Sequence, residues 1–189
     1  YKFTWNEFCD WYLELSKPVL YGSDQVLKSQ SGAVLIGVLD RLVKLLHPFI
    51  PFVTEEIYQM LPQHGESICI EKFPDLKDPF LKLASKEAAQ EIEAVKSVVS
   101  AVRNIRGENR ISPAIKIKFS VAADSKNAES TKYLSILKSN DAFIKSLARS
   151  EEVEYLNEGL DVKKSAVTLI TLGQARIRVT VPLEGLVDF

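Results

Sequence analysis

Four basic residues on one stretch, Lys96, Arg103, Arg106 and Arg110, are the side chains here best suited to hold an anion. Lys96, Arg103 and Arg110 recur every seven residues, so a single helix carrying all of them would present one stripe. Asn104 and Asn109 stand among them. Such a stripe could grip phosphates, with asparagine adding hydrogen bonds. The alternative is a solvated helix face on which Glu93 pairs with Lys96 at i, i+3.

Other chemistry finds less support. His47 and His64 have no Cys, His or carboxylate at metal-ligand spacing. His47 is expected to help satisfy the carbonyls at a helix end, and His64, beside Gly65, to be a solvated loop residue. Cys9 and Cys69 are far apart; they suit a reducing compartment and argue for neither a disulfide framework nor a metal site. No serine lies in a Gly-x-Ser-x-Gly elbow. Gly32 and Gly37 are isolated in a helical pattern, so there is no phosphate loop. Glu55 and Glu56 fit the positive end of a helix dipole better than acid–base work. The residues therefore suggest no catalytic site, no metal and no cofactor within this stretch.

Composition narrows the partners. The 189 residues are 46% hydrophobic and 26% charged, ordinary for a globular protein. Twenty-four basic and 25 acidic residues leave a net charge of −1, so any polyanion must be met by a local patch. The apolar runs are too short and interrupted to span a membrane. The first residues lack the order of a signal peptide and start inside an amphipathic pattern without a cap, as a piece of a longer protein would.

The elements that must position the basic residues follow from periodicity. Tyr1, Trp5, Phe8, Tyr12 and Leu15 recur at helical spacing up to Pro18, an aromatic stripe expected in a bundle core rather than as a base-stacking platform. A polar connector follows over 19–31. Residues 31–47 are apolar almost all round, as in a central helix. Pro48 stops that helix, because proline disfavours the helical conformation of the residue before it, and Pro51 can open the next. Phe49, Ile50, Phe52 and Val53 are too apolar for an exposed loop, so this corner is expected to be buried. After the extended stretch 67–74 and a linker over 75–79, a helix over 85–108 carries Ile92, Val95, Val99, Val102 and Ile105 on one face. Alternation then predicts a strand over 115–121. A helix over 127–150 breaks near Asn140. A short strand over 153–156 follows. Strands over 166–172 and 175–181 turn at Gly173-Gln174. The fold class is α+β: a mainly α-helical bundle in residues 1–74, then a small α/β subdomain with a short sheet in 80–189.

Several blocks resemble the valyl-tRNA synthetases. They are Phe3-Thr-Trp-Asn-Glu-Phe-Cys-Asp-Trp-Tyr-Leu-Glu-Leu-Ser-Lys-Pro18, Leu46-His-Pro-Phe-Ile-Pro-Phe-Val-Thr-Glu-Glu-Ile-Tyr58, Gly65-Glu-Ser-Ile68 with Phe73-Pro74, Val102-Arg-Asn-Ile-Arg-Gly-Glu-Asn-Arg-Ile-Ser-Pro113 and Pro182-Leu-Glu-Gly-Leu-Val-Asp188. They come in the family's order. The His-Pro-Phe-Ile-Pro-Phe corner is also similar to one in isoleucyl and leucyl relatives, leaving the same region of an isoleucyl enzyme as an alternative. The resemblance implies the later part of an anticodon-binding bundle and a junction leading to a coiled-coil arm. It implies a cytoplasmic parent that joins valine to its tRNA with ATP and edits mischarged threonine in domains upstream. Neither the His-Ile-Gly-His nor the Lys-Met-Ser-Lys-Ser type of signature occurs here, so this piece alone is expected to be inactive. The implied partner is tRNA for valine, with Lys96, Arg103, Arg106 and Arg110 as candidate contacts. A structural connector with little RNA affinity is the competing expectation. Gly107 weakens the helix just before Arg110 and puts its place on the stripe in question.

Overall fold

The structure, a computed structural model, describes residues 1–124, 126–159 and 163–186. Val187 to Phe189, including the end of the Pro182–Asp188 block, lie outside the described residues. Two compact units divide the chain, Tyr1–Ala84 and Ser85–Phe189.

The first unit is helical. Phe3–Tyr12 winds as a π-helix and passes into α1 (Leu13–Leu20), with the Leu13 N–H donating to the Phe8 carbonyl five residues back. The helix was expected to stop before Pro18 but runs through it, with the Ser16 hydroxyl donating to the Tyr12 and Leu13 carbonyls one turn earlier. The wider winding spreads the aromatics. Phe8 is buried, whereas Tyr1, Phe3 and Trp5 are exposed, so the core reading holds only for part of the stripe.

α2 (Gln25–Leu46) begins earlier than residue 31, because the Asp24 carboxylate accepts from the Val26 and Leu27 N–H groups. Its apolar girth does not make it a buried helix: within it only Leu42 and Val43 are buried. α3 (Pro51–Gln59) opens with Pro51 at its first turn, as expected. The corner itself is a correction. Phe49 is 82% and Phe52 89% exposed, with Ile50 and Val53 exposed too. The density of apolar residues says they avoid water but not what covers them, and in this chain they stand on the surface. The unit's core is Val43, Tyr58, Leu61 and Ile68, with Leu39 and Ile57 against it. Residues 67–74 are not simply extended, since Ile68–Ile70 forms a 3-10 turn capped by Ser67.

The stretch over 75–79 is held rather than loose. The Arg41 guanidinium meets Asp78 with both arms, Nε to Oδ2 at 2.7 Å and Nη2 to Oδ1 at 2.8 Å, and lies 4.1 Å from the centre of the Phe80 ring. Asp78 also caps the 3-10 turn Pro79–Leu83.

The second unit is α4 (Lys86–Glu108), β1 (Ile117–Ala123), α5 (Ala128–Ser139), α6 (Asp141–Ala148), β2 (Ser150–Leu156), β3 (Ser165–Leu172) and β4 (Ala175–Pro182). The strands make one sheet in the order β2-β1-β4-β3. β1 pairs parallel with β2, which demands a crossover, and α5 and α6 supply it. β1 pairs antiparallel with β4, Val121 opposite Val179, and β4 with β3, Leu172 opposite Ala175. That last pair closes a two-residue hairpin in which Gly173 takes φ +62°. The hairpin is tied to α5: the Gln174 N–H donates to Glu129 and the Asn127 amide to the Gln174 carbonyl. β1 was expected to be half-buried; centred between β2 and β4, it leaves only Lys118 exposed. Val95, Val98, Val99 and Val102 of α4 pack out of water, as do Leu137, Ile144, Ile177 and Val179.

The Arg41–Asp78 pair gives a test. The Arg41 hydrogen bonds first, then the Phe80 N–H, hold the Asp78 carboxyl at about 2, below its ordinary 3.8. A depressed carboxylate stabilises the fold above its unfolded pKa, and that contribution is lost as pH falls through the folded value. Asp78→Asn is expected to lower the melting temperature at neutral pH. The gap to wild type should close between pH 3.8 and about 2, read by circular dichroism melts across that range.

Candidate nucleic-acid interface

The expected stripe does not form; a cluster does. α4 starts on the Ser85 cap, whose hydroxyl accepts from the Ala88 N–H, and ends at Glu108. The chain then reverses. The Arg110 N–H reaches the Gly107 carbonyl at 3.2 Å and the Ile111 N–H the Arg106 carbonyl at 2.9 Å, the paired bonds of a Schellman ending. Arg110 sits at the left-handed position of that turn, φ +54°. It is therefore off the helix, and a helical continuation of the Lys96–Arg103 line does not reach it. Asn109, expected to add bonds to a ligand, turns its amide onto the Ile105 carbonyl at 2.8 Å.

Arg106 is buried, and its two terminal nitrogens donate to main chain. Nη2 donates to the Ser112 and Ile115 carbonyls at 2.6 and 2.7 Å, and Nη1 to the Ala148 and Arg149 carbonyls at 3.3 and 3.4 Å. Burial first, then the nearby Arg149, pull its pKa below the ordinary guanidinium value. Arg103 donates from Nε and Nη2 to the Leu147 carbonyl at 3.4 and 3.1 Å. Both side chains thus meet the last carbonyls of α6, where the helix dipole is negative and carbonyls lack helical partners.

α6 ends on Arg149, which is left-handed too, at φ +51°. Its side chain donates to the Pro113 carbonyl at 3.3 Å. The ends of α4 and α6 so enclose a cleft of about 560 Å³ lined by Arg103, Arg106, Arg110 and Arg149 together with Gly107, Ser112 and apolar groups. No carboxylate is among the lining residues. Three of the four sequence candidates are brought together, and Lys96 is not at the cleft; it pairs with Glu93 at 3.0 Å, as the i, i+3 spacing suggests. Arg149 was missed. The signal available was a basic residue closing one predicted helix just before a strand.

An arginine cluster of this kind can bind an oxyanion by charge and by forked hydrogen bonds. Its lining residues include no histidine, cysteine or carboxylate.

The remaining candidates settle elsewhere. His47 does not serve helix carbonyls with its ring. Nδ1 lies 2.8 Å from Thr54 Oγ1, and Nε2 lies 3.4 Å from Cys69 Sγ. Glu55 lies beyond the first turn of α3 and binds Ser67 and the Ile68 N–H rather than the helix start. His64 is exposed, with Nδ1 at 3.0 Å from the Gly65 carbonyl.

A family model described as the anticodon-binding domain of tRNA ligase matches residues 1–121. The chain belongs to that family. Along its whole length it is also similar to valine–tRNA ligases. Identity is 43% to that of Bdellovibrio bacteriovorus, 38% to that of Clostridium tetani and 38% to that of Syntrophotalea carbinolica. All of this chain is covered, against 21%, 20% and 20% of those relatives, so it spans about a fifth of their length. No helix among the described residues is long and apolar enough to cross a membrane.

Left-handed backbone costs a side-chain-bearing residue about 1 kcal/mol relative to glycine. Arg110→Gly is expected to raise stability by up to about that amount while removing one of the cleft's charges. Denaturant unfolding and anion or RNA binding, measured on one preparation, should move in opposite directions.

Proposed function

We propose that this chain is the tRNA-docking portion of a valine–tRNA ligase, and that the arginine cleft holds the sugar–phosphate backbone of tRNA for valine. The observation that carries the reading is the gathering of four guanidinium groups around one cleft whose lining residues include no carboxylate. Arg103, Arg110 and Arg149 are the exposed members and meet phosphate; Arg106 is a positioning residue that holds the walls. Lys96 lies further back along α4, paired with Glu93. Contacts of this type set register and orientation and leave base identity to other groups.

On this reading residues 1–74 are the later part of the anticodon-binding bundle and residues 80–189 the junction towards a coiled-coil arm. The parent, a cytoplasmic enzyme, joins valine to its tRNA with ATP through catalytic and editing domains elsewhere in the same protein.

A second reading rests on a specific observation too. Arg103 and Arg106 spend donors on protein carbonyls, as they would in a connector whose task is to fix the angle between α4 and α6.

Titration of the chain with tRNA for valine at several salt concentrations, beside a non-cognate tRNA, separates the two. Docking predicts affinity falling with log salt at a slope of about −0.9 per duplex phosphate neutralised. Arg149→Ala is expected to weaken binding and flatten that slope by about one unit, with partial recovery in Arg149→Lys. Absence of binding at low salt makes the region a connector.

A further inference from the structure

His47, Glu55 and Cys69 come from three different elements of the first unit, the end of α2, α3 and the 3-10 turn Ile68–Ile70. Their ligand atoms all lie within 4.8 Å of one another, and among the described residues no other trio of such groups is so placed.

The donor set is ordered before any ion arrives. The Thr54 hydroxyl has one proton, and its oxygen lies 2.9 Å from the Ile50 carbonyl and 3.1 Å from the Pro51 carbonyl. With that proton committed there, Oγ1 can accept from an Nδ1–H of His47, the tautomer that leaves Nε2 free to ligate. Nε2 lies 3.4 Å from Cys69 Sγ. Metal-bound histidines commonly have their other ring nitrogen held by such an acceptor, which fixes tautomer and ring direction.

Glu55 is ordered in the same way. The Gln59 amide above all, then Ser67 and the Ile68 N–H, hold its carboxyl below the ordinary value. With Zn–N near 2.0 Å and Zn–S near 2.3 Å, a tetrahedral ion keeps its nitrogen and sulfur ligands about 3.5 Å apart. The His47–Cys69 separation already matches.

We propose that His47 Nε2, Cys69 Sγ and a Glu55 carboxylate oxygen form a site for a borderline-soft divalent cation of the zinc class. Imidazole with thiolate favours zinc, cobalt or copper over magnesium or calcium, which prefer oxygen sets. On binding, the Cys69 S–H bond breaks, sulfur keeps the electron pair and donates it to the metal, and the proton leaves to solvent. Three protein ligands leave a fourth position for water. The ion clips the turn after Ser67 onto the α2–α3 corner, beside Tyr58, Leu61 and Ile68 of the core.

The test is titration of the reduced chain with cobalt(II) and, separately, zinc(II). Cobalt is expected to give a saturable thiolate-to-metal charge-transfer absorption, kept in Cys9→Ser and lost in Cys69→Ser. Cys69 is exposed, so that variant keeps the fold, which circular dichroism checks. Glu55→Gln should weaken cobalt binding by roughly tenfold or more. Zinc should raise the melting temperature of wild type, reversibly with chelator, and not that of Cys69→Ser. A wild-type chain with no charge-transfer band in excess cobalt, or a band that survives in Cys69→Ser, overturns the assignment.

Discussion

The buried guanidinium of Arg106, ringed by four backbone carbonyls, governs the second unit at the point where it could meet a ligand. Burying a charge is costly unless it is paired or fully hydrogen-bonded. Here the partners are neutral dipoles, two from the turn after α4 and two from the end of α6. They take the hydrogen bonds of both terminal nitrogens yet leave its charge in place, whereas a carboxylate would have cancelled it. One side chain thus locks α4, the 112–115 turn and α6 together and keeps the cleft between them positive. Removing it would take the donor from the Ile115 and Ala148 carbonyls and a second donor from those of Ser112 and Arg149, so its structural and electrostatic roles cannot be separated by truncation alone.

The helix ends around it depart from the cheapest local solution in the same direction. Glycine is the usual residue at the left-handed position after a helix. At both Arg110 and Arg149 that place is taken by arginine, at φ +54° and +51°. Glycine at each position would relieve about 1 kcal/mol of left-handed backbone strain, set against the side-chain bond that Arg149 makes to the Pro113 carbonyl. Both departures lie at the rim of one cleft, and each adds a guanidinium to its lining.

How far the sequence reaches is decided by range. The α/β unit was legible because its signals are local: a 3.6 period through α4, alternation in β1 and Gly173 in the hairpin. α2 was read too short because Asp24, a strong cap, stands in a stretch that otherwise looks like a connector. The corner at Phe49 and Phe52 was read as buried because hydrophobicity reports a tendency and not the presence of a cover. The cleft was only half legible. Arg103, Arg106 and Arg110 declare themselves by proximity in sequence, but Arg149 arrives by way of the crossover between two parallel strands. Likewise His47 and Cys69 meet only because Ile68 docks on Val43 and Tyr58.

The extent of the family match bears on the cleft. The anticodon-binding model covers residues 1–121, which takes in α4, Arg110 and the start of the sheet but ends before α6. The cleft therefore straddles the limit of that model: Arg103, Arg106 and Arg110 lie inside it, and the α6 carbonyls with Arg149 lie outside. Those three arginines alone would form a cationic helix end open on one side. Its far wall comes from the crossover, which also supplies the carbonyls that hold Arg103 and Arg106 in place. The likeness to valine–tRNA ligases, by contrast, runs over all of this chain and contains both walls. The unit over which the cleft can be understood is thus the longer one, in which the parallel pairing of β1 and β2 sets where α6 ends. The register of that pair, Ile117 against Ser150, fixes Arg149 one residue before the strand and hence at the mouth of the cleft.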